Sequence, residues 1–138
     1  VDDLDYNRQL LRNNLTALFS REKLKYKAFS YFQAHNASSA LLTFSQQMPD
    51  MVFLDIELPD GSGLELLTRC KEQKADCFVV MVRGVSTLEN VKTSIASGAA
   101  SFIVKPFTAD KILAVLKQFD RYYDKLPKEA SEPLLQKP

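Results

Sequence analysis

Two short runs in this chain are apolar at every position and then stop at a charged residue. Met51-Val52-Phe53-Leu54 ends at Asp55, and Phe102-Ile103-Val104 ends at Lys105-Pro106. A third such run, Phe78 to Val82, ends at Arg83. A strand with no polar alternation is covered on both faces, which is the signature of a parallel sheet with helices above and below it. Parallel strands aim their carboxyl ends at one rim, so charges at strand ends are expected to converge there. Asp2 and Asp3, directly after Val1, join that rim if Val1 closes a strand.

Longer amphipathic segments separate the apolar runs, which is the alternation of βαβ units. Leu11, Leu15, Leu18 and Phe19 share a helical face in a segment starting near Tyr6. A second strand is expected within 28–34. A helix opening at Asn36 or Ser38 then buries Ala40, Leu41 and Phe44. Leu64, Leu67 and Cys70 mark a third helix, and Leu88, Val91 and Ile95 line a fourth that stops at Gly98. The last helix starts after Thr108, its expected N-cap, and buries Ile112, Leu116 and Phe119. Residues 124–138 hold three prolines and several charges, and read as a tail or linker after a domain over 1–123. Only Val1 precedes Asp2, where the logic wants the middle strand of the sheet. A missing central strand would leave neighbouring backbone groups unpaired, at roughly 1–3 kcal/mol for each buried group. A few residues upstream of Val1 are therefore expected.

The 138 residues suffice for one domain with a proper core. Eighteen basic and 17 acidic residues nearly cancel, and no basic cluster argues for direct nucleic-acid or membrane binding. No run is long and apolar enough for a membrane span, and no signal peptide is recognisable. Cys70 and Cys77 lack a metal-binding spacing, so they read as reduced thiols of a cytoplasmic protein. His35 is the only histidine and reads as an ordinary surface residue, which leaves no Ser/His or Cys/His catalysis.

Taken singly, each strand-end charge has a plain structural reading. An Asp after a strand often caps a turn, and a Lys before Pro is often solvated. Together they define a chemistry. Two or three carboxylates in one cleft repel, and a hard divalent cation relieves them. Mg²⁺ binds through one or two carboxylates and completes its shell with water and phosphate oxygens. Lys105 adds a point charge suited to a phosphoryl group. A carboxylate flanked by both is equipped to attack phosphorus and hold an acyl phosphate.

The stretches Val1-Asp2-Asp3, Phe53-Leu54-Asp55-Ile56-Glu57-Leu58-Pro59-Asp60-Gly61 and Phe102-Ile103-Val104-Lys105-Pro106-Phe107 resemble the receiver domain of bacterial two-component response regulators, the CheY-like family. The resemblance covers residues 1–123. It implies a flavodoxin-like α/β three-layer sandwich, a five-stranded parallel sheet in the order 2-1-3-4-5. It implies Asp55 as phosphoacceptor, with Asp3, Asp55 and the backbone carbonyl of Glu57 on Mg²⁺. Asp2 would act through water, Lys105 would hold phosphoryl oxygens, Pro106 would follow a cis bond, and Phe102 would be the switch aromatic. The implied partners are a histidine kinase or phosphotransfer protein as donor, and an output domain or downstream protein reading the fourth helix, fifth strand and fifth helix. The same face is a place for homodimers.

The chain departs from the family in two places. Receivers carry Thr or Ser where Arg83 stands. Ser86 and Thr87 follow too late and read as helix caps. Arg83 either pairs with the acids and holds the site metal-poor, the reading preferred for the resting protein, or grips the phosphoryl group. An extra stretch of roughly nine residues around Ser20 to Lys27 separates the first helix from the second strand. Three functions follow: a phosphorylation switch that is not an enzyme beyond its own phosphorylation and dephosphorylation, a phosphate-independent interaction module, or a haloacid-dehalogenase-type phosphatase. The third wants Asp where Glu57 stands and a cap domain for which the chain has no room.

Overall fold

A computed structural model describes residues 1–21, 29–84 and 90–125. In chain order the elements are α1 (Asp5–Arg21), α2 (Ala37–Gln47), β1 (Met51–Asp55), β2 (Glu57–Leu58), β3 (Gly61–Ser62) and α3 (Gly63–Gln73). They continue with β4 (Phe78–Arg83), α4 (Asn90–Ala96), β5 (Ser101–Val104) and α5 (Ala109–Asp124). The three apolar runs are β1, β4 and β5. They form a parallel sheet in the order β1-β4-β5, with Asp55 level with Val82 and Arg83 level with Val104.

Pleating explains the layers. Phe78, Val80 and Val82 of β4 face one core with Leu11, Leu15 and Leu18 of α1 and Ile112, Val115 and Leu116 of α5. Val79 and Met81 face the other, with Phe44 of α2 and Leu66, Leu67 and Cys70 of α3. All six residues of β4 are buried, as a strand covered on both faces requires. The expected core positions on α1, α2 and α5 are buried or half-buried, Phe119 lying edge-on to Phe78 at 5.5 Å. Asn36 caps α2, Ser62 caps α3 and Thr108 caps α5, each accepting a backbone N–H of the first turn. Burial pushes the Cys70 and Cys77 thiols up to about 11 and about 12, which makes them poor nucleophiles.

Three details differ from the sequence reading. Phe29–Ala34 forms no strand ladder among the described residues; the Asp2 N–H donates to Ala34 O at 3.2 Å. A strand forms only where a neighbour supplies both rows of partners. Ile95 is 58% exposed, because the short α4 turns Ser94 to the core instead. Gly98 takes the positive φ of 107° expected beyond a helix end. Helix α5 runs through Asp124 to a C-cap at Lys125. The expected tail from 126 onward, the insertion around 22–27, and Ser86, Thr87 and Leu88 lie outside the described residues.

The expected first two of five strands are not strands among the described residues, where the parallel sheet has three; Val1–Asp2 and Phe29–Ala34 lie alongside β1 instead. Val1 forms two parallel rungs with β1: its ammonium donates to Phe53 O at 2.6 Å and its carbonyl accepts the Asp55 N–H at 3.0 Å. Burial holds that ammonium down from its ordinary 8.0 to about 6, against the attraction of Asp2 and Asp55 and with help from Arg8 and Lys105.

Candidate functional site

Because the strands are parallel and in register, Asp55, Arg83 and Val104 end at one rim. The ladder continues one residue past β5, where the Lys105 N–H donates to Arg83 O at 2.8 Å. The Lys105–Pro106 bond is cis. Strand β5 lies two strand spacings from β1, about 10 Å. The long stem of Lys105 and the short arm of Asp55 together cover that span.

The Lys105 ammonium donates to Asp55 Oδ2 at 2.6 Å and pairs with Asp2 Oδ2 at 3.0 Å. Asp55 Oδ1 accepts the Glu57 N–H at 2.9 Å. Asp2 Oδ1 accepts the Leu4 N–H at 2.9 Å and Asn7 Nδ2 at 3.5 Å. The two acids are treated differently. Burial raises the Asp55 carboxyl above its ordinary range, and Lys105 and the Glu57 N–H offset this only in part. Burial pushes Asp2 up as well, but the Leu4 N–H, Lys105 and Asn7 outweigh it and hold that carboxyl low. Lys105 is held above its usual value because its two acids outweigh its own burial. The geometry thus keeps one firm anion, one reluctant anion and one firm cation.

Asp2, Asp3 and Asp55 each bring a carboxylate oxygen within 4.8 Å of the others, Asp3 from the exposed side. Three hard oxygen donors at this separation suit Mg²⁺. Asp2 Oδ2 is buried, and the group it meets at 3.0 Å is the Lys105 ammonium, so the donor set is already balanced in part by one cation. The residues fit the metal.

The loop after Asp55 is shaped to leave the acid clear. Glu57–Leu58 and Gly61–Ser62 pair as a tight hairpin around Pro59 and Asp60. Gly63 then returns against β1, its N–H donating to Ile56 O at 2.7 Å. A Cβ at Gly63 would collide with the Asp55 carbonyl and sit 2.7 Å from Ile56 Cα, so only glycine fits. Asp60, exposed, caps α2 through the Ala37 and Ser38 N–H groups at 2.6 and 3.1 Å.

Arg83 does not take the place expected of it in the resting protein. Among the described residues the cation on the acids is Lys105. The buried Arg83 donates from Nη1 to Gly84 O at 3.1 Å, and its Nε has no hydrogen-bond partner. Pleating sends Arg83 toward the side of Val79 and Met81, away from the Val82 side. Phe102 is half-buried against that same second core, level with Met81. Glu57 and His35 are exposed.

Sequence reasoning passed over the residues that hold Asp2. Arg8 donates to the Asp2 carbonyl at 2.6 Å and pairs with Asp5 at 3.1 Å. Their signal was an Asn and an Arg in the first turn of a helix that begins three residues after Asp2. Gly63 and Asp60 were legible only as parts of a loop motif.

The chain belongs to the response regulator receiver domain family, whose pattern it matches over residues 1–117. Members of that family are signalling switches with a flavodoxin-like fold. The chain is 28% identical to the chemotaxis protein CheY of Bacillus subtilis over 118 residues, 86% of this chain and 92% of that one. It is 33% identical to a probable C4-dicarboxylate response regulator, DctR, of Halalkalibacterium halodurans, over 59% of this chain and 36% of that one. It spans 36–45% of the first regulators it matches. The crystal structure of NtrX from Brucella abortus superposes with a TM-score of 0.77 at 32% identity, over 96% of this chain and 28% of that one. No helix among the described residues is long and apolar enough to cross a membrane.

If Lys105 neutralises the rim, Lys105→Met leaves two buried carboxylates facing each other. The expected loss of stability at pH 7 is about 2–4 kcal/mol by urea unfolding. Protonation of one acid relieves the repulsion, so the loss shrinks as the pH falls from 7 toward 4. An unchanged unfolding midpoint at pH 7 would contradict the clamp.

Proposed function

We propose that this domain is a phosphorylation-controlled switch that accepts a phosphoryl group on Asp55. The observation that carries the reading is the Lys105 ammonium shared by the buried carboxylates of Asp55 and Asp2 beside the outer Asp3. Asp55 Oδ2 is the attacking oxygen. Its P–O bond forms as the bond from phosphorus to the donor breaks. With a phosphohistidine donor, the electron pair returns to the imidazole nitrogen, which takes up a proton. Lys105 then exchanges the Asp55 carboxylate for a phosphoryl oxygen, a contact it makes without leaving Asp2. Asp3, Asp55 and the Glu57 carbonyl would hold Mg²⁺, with Asp2 reaching it through water. Mg²⁺ there supplies charge neutralisation and orients the phosphoryl oxygens.

The donor is a histidine kinase or a phosphotransfer protein. Phosphorylation adds about −1.5 to −2 charges at the end of β1. The change is read on the face made by α4, β5 and α5, through Phe102 and Lys105, by an output domain, a downstream protein or a second copy. The larger size of the DctR and NtrX chains supports an output domain in the same polypeptide.

A second reading rests on Arg83. A guanidinium at the end of β4 replaces the small hydroxyl with which receivers bind the phosphoryl group, which favours a module that docks partners without phosphate. The two readings separate in one experiment. With Mg²⁺ and a small acyl phosphate, the wild-type chain gains one phosphoryl mass and Asp55→Asn gains none. If the wild type stays unmodified across donors while Arg83→Thr gains the mass, the phosphate-independent module is the correct reading. If neither gains it, the switch reading fails at Asp55 itself.

A further inference from the structure

The acidic cleft has two walls. One carries Asp2 and Asp3; the other is the end of β1 and the hairpin that follows it, with Asp55 and the Glu57 carbonyl. That hairpin is short, since β2 and β3 have two residues each and pair only as Glu57 with Ser62 and Leu58 with Gly61. A two-stranded hairpin is marginal in water without support from outside. Its base is fixed, because the Gly63 N–H donates to Ile56 O at 2.7 Å and the Glu57 N–H to Asp55 Oδ1 at 2.9 Å. Its tip, Pro59-Asp60, is held from elsewhere.

Both oxygens of the Asp60 carboxylate are spent on α2: Oδ1 accepts the Ala37 N–H at 2.6 Å and Oδ2 the Ser38 N–H at 3.1 Å. These two bonds hold its carboxyl below the usual range, so the acid caps as an anion. The helix has a cap of its own as well. Asn36 Oδ1 accepts the Ser39 N–H at 2.8 Å, and Ser39 Oγ accepts the Asn36 N–H at 3.4 Å. Asp60 therefore fills the two first-turn N–H groups that this box leaves over. A Cβ on Gly61 would lie 3.8 Å from Ala37 Cβ, so the turn rests against the helix start. The helix is a firm support, with Ala40 and Phe44 buried in the second core. Just before it, Ala34 O accepts the Asp2 N–H at 3.2 Å. The start of α2 is thus tied to one wall of the cleft through Ala34 and to the other through Asp60.

We propose that Asp60 is a positioning residue for the cation site: anchored on the first turn of α2, it sets the gap between the Glu57 carbonyl and the carboxylates of Asp2 and Asp3. The inference rests on the Mg²⁺ part of the proposed function and is independent of phosphoryl transfer. Asp60 is not itself a ligand, since its carboxylate is occupied by the helix. Its effect passes through the hairpin. Without the anchor the tip pivots on the Gly63–Ile56 base and carries the Glu57 carbonyl with it. Mg²⁺ tolerates little of this, because it demands near-octahedral oxygens at about 2.0–2.1 Å.

The test is a calorimetric titration of the full chain with MgCl₂, without any phosphoryl donor, while NMR follows the Glu57 amide. Asp60→Ala is expected to weaken Mg²⁺ binding by about tenfold, the usual cost of losing a group that orients a ligand. Asp60→Asn keeps an oxygen for the first turn and recovers most of that loss. Asn36→Ala is the control: it removes the helix's own cap without touching the hairpin. It lowers the thermal midpoint as Asp60→Ala does, yet leaves Mg²⁺ affinity unchanged. Equal weakening by Asn36→Ala and Asp60→Ala would mean that only the stability of α2 mattered, and would overturn the proposal. Unchanged affinity in Asp60→Ala overturns it as well. If the wild type takes up no Mg²⁺, the cation site itself fails and this role with it. If the wild type binds Mg²⁺ but is never phosphorylated, the switch reading fails while the role of Asp60 is still decided by the titration.

Discussion

One ammonium group, on Lys105, stands between two buried carboxylates that come from distant parts of the chain. Asp2 and Asp55 lie on neighbouring segments, and their charges oppose each other at the mouth of a low-dielectric core. Without a shared cation they could not both stay ionised. Lys105 reaches them only because β4 is sandwiched between β1 and β5 in parallel register, which delivers the last residues of all three strands to one edge. The sheet's topology is thus the condition for the site, and the apolar runs are the condition for the sheet.

That dependence explains what could be read from the residues alone. Runs such as Phe78 to Val82 announce a strand buried on both faces, and charges that terminate such runs announce a common rim. The caps at Asn36 and Thr108 were legible because each needs only a side-chain oxygen at the right offset. What stayed hidden depends on partners far away in sequence. The two-residue strands around Pro59-Asp60 are too short to carry a period. Asp60 reads as a turn residue, yet it caps a helix that begins 23 residues earlier. Ile95 carried an apolar signature but faces outward, since a seven-residue helix is oriented by its neighbours more than by its own stripe. Segment Phe29–Ala34 has strand-like composition, yet among the described residues it forms no ladder and meets Asp2 through the Ala34 carbonyl.

Arg83 shows the limit of arguing from charge alone. A guanidinium beside three acids invites an ion pair. Strand alternation overrides the invitation, because Asp55 and Arg83 leave adjacent strands from positions one residue out of step. The guanidinium turns back on the Gly84 carbonyl, and the lysine two strands away takes the acids. A long side chain on the correct edge can still be on the wrong side of the pleat.

The same alternation links the acidic rim to the interior of the sheet. Odd-numbered residues of β1 bond toward Val1, and Asp55 is one of them, so the amide of the phosphoacceptor candidate hangs on the carbonyl of Val1. Asp2, one residue on, supplies the second carboxylate of the clamp. Position and charge in the site therefore rest on a two-residue stretch held by a hydrogen bond on one flank and two on the other. Any change that tightens or loosens that stretch moves both acids together relative to Lys105. The rim then responds as a unit, because its two buried carboxylates share one backbone support as well as one cation.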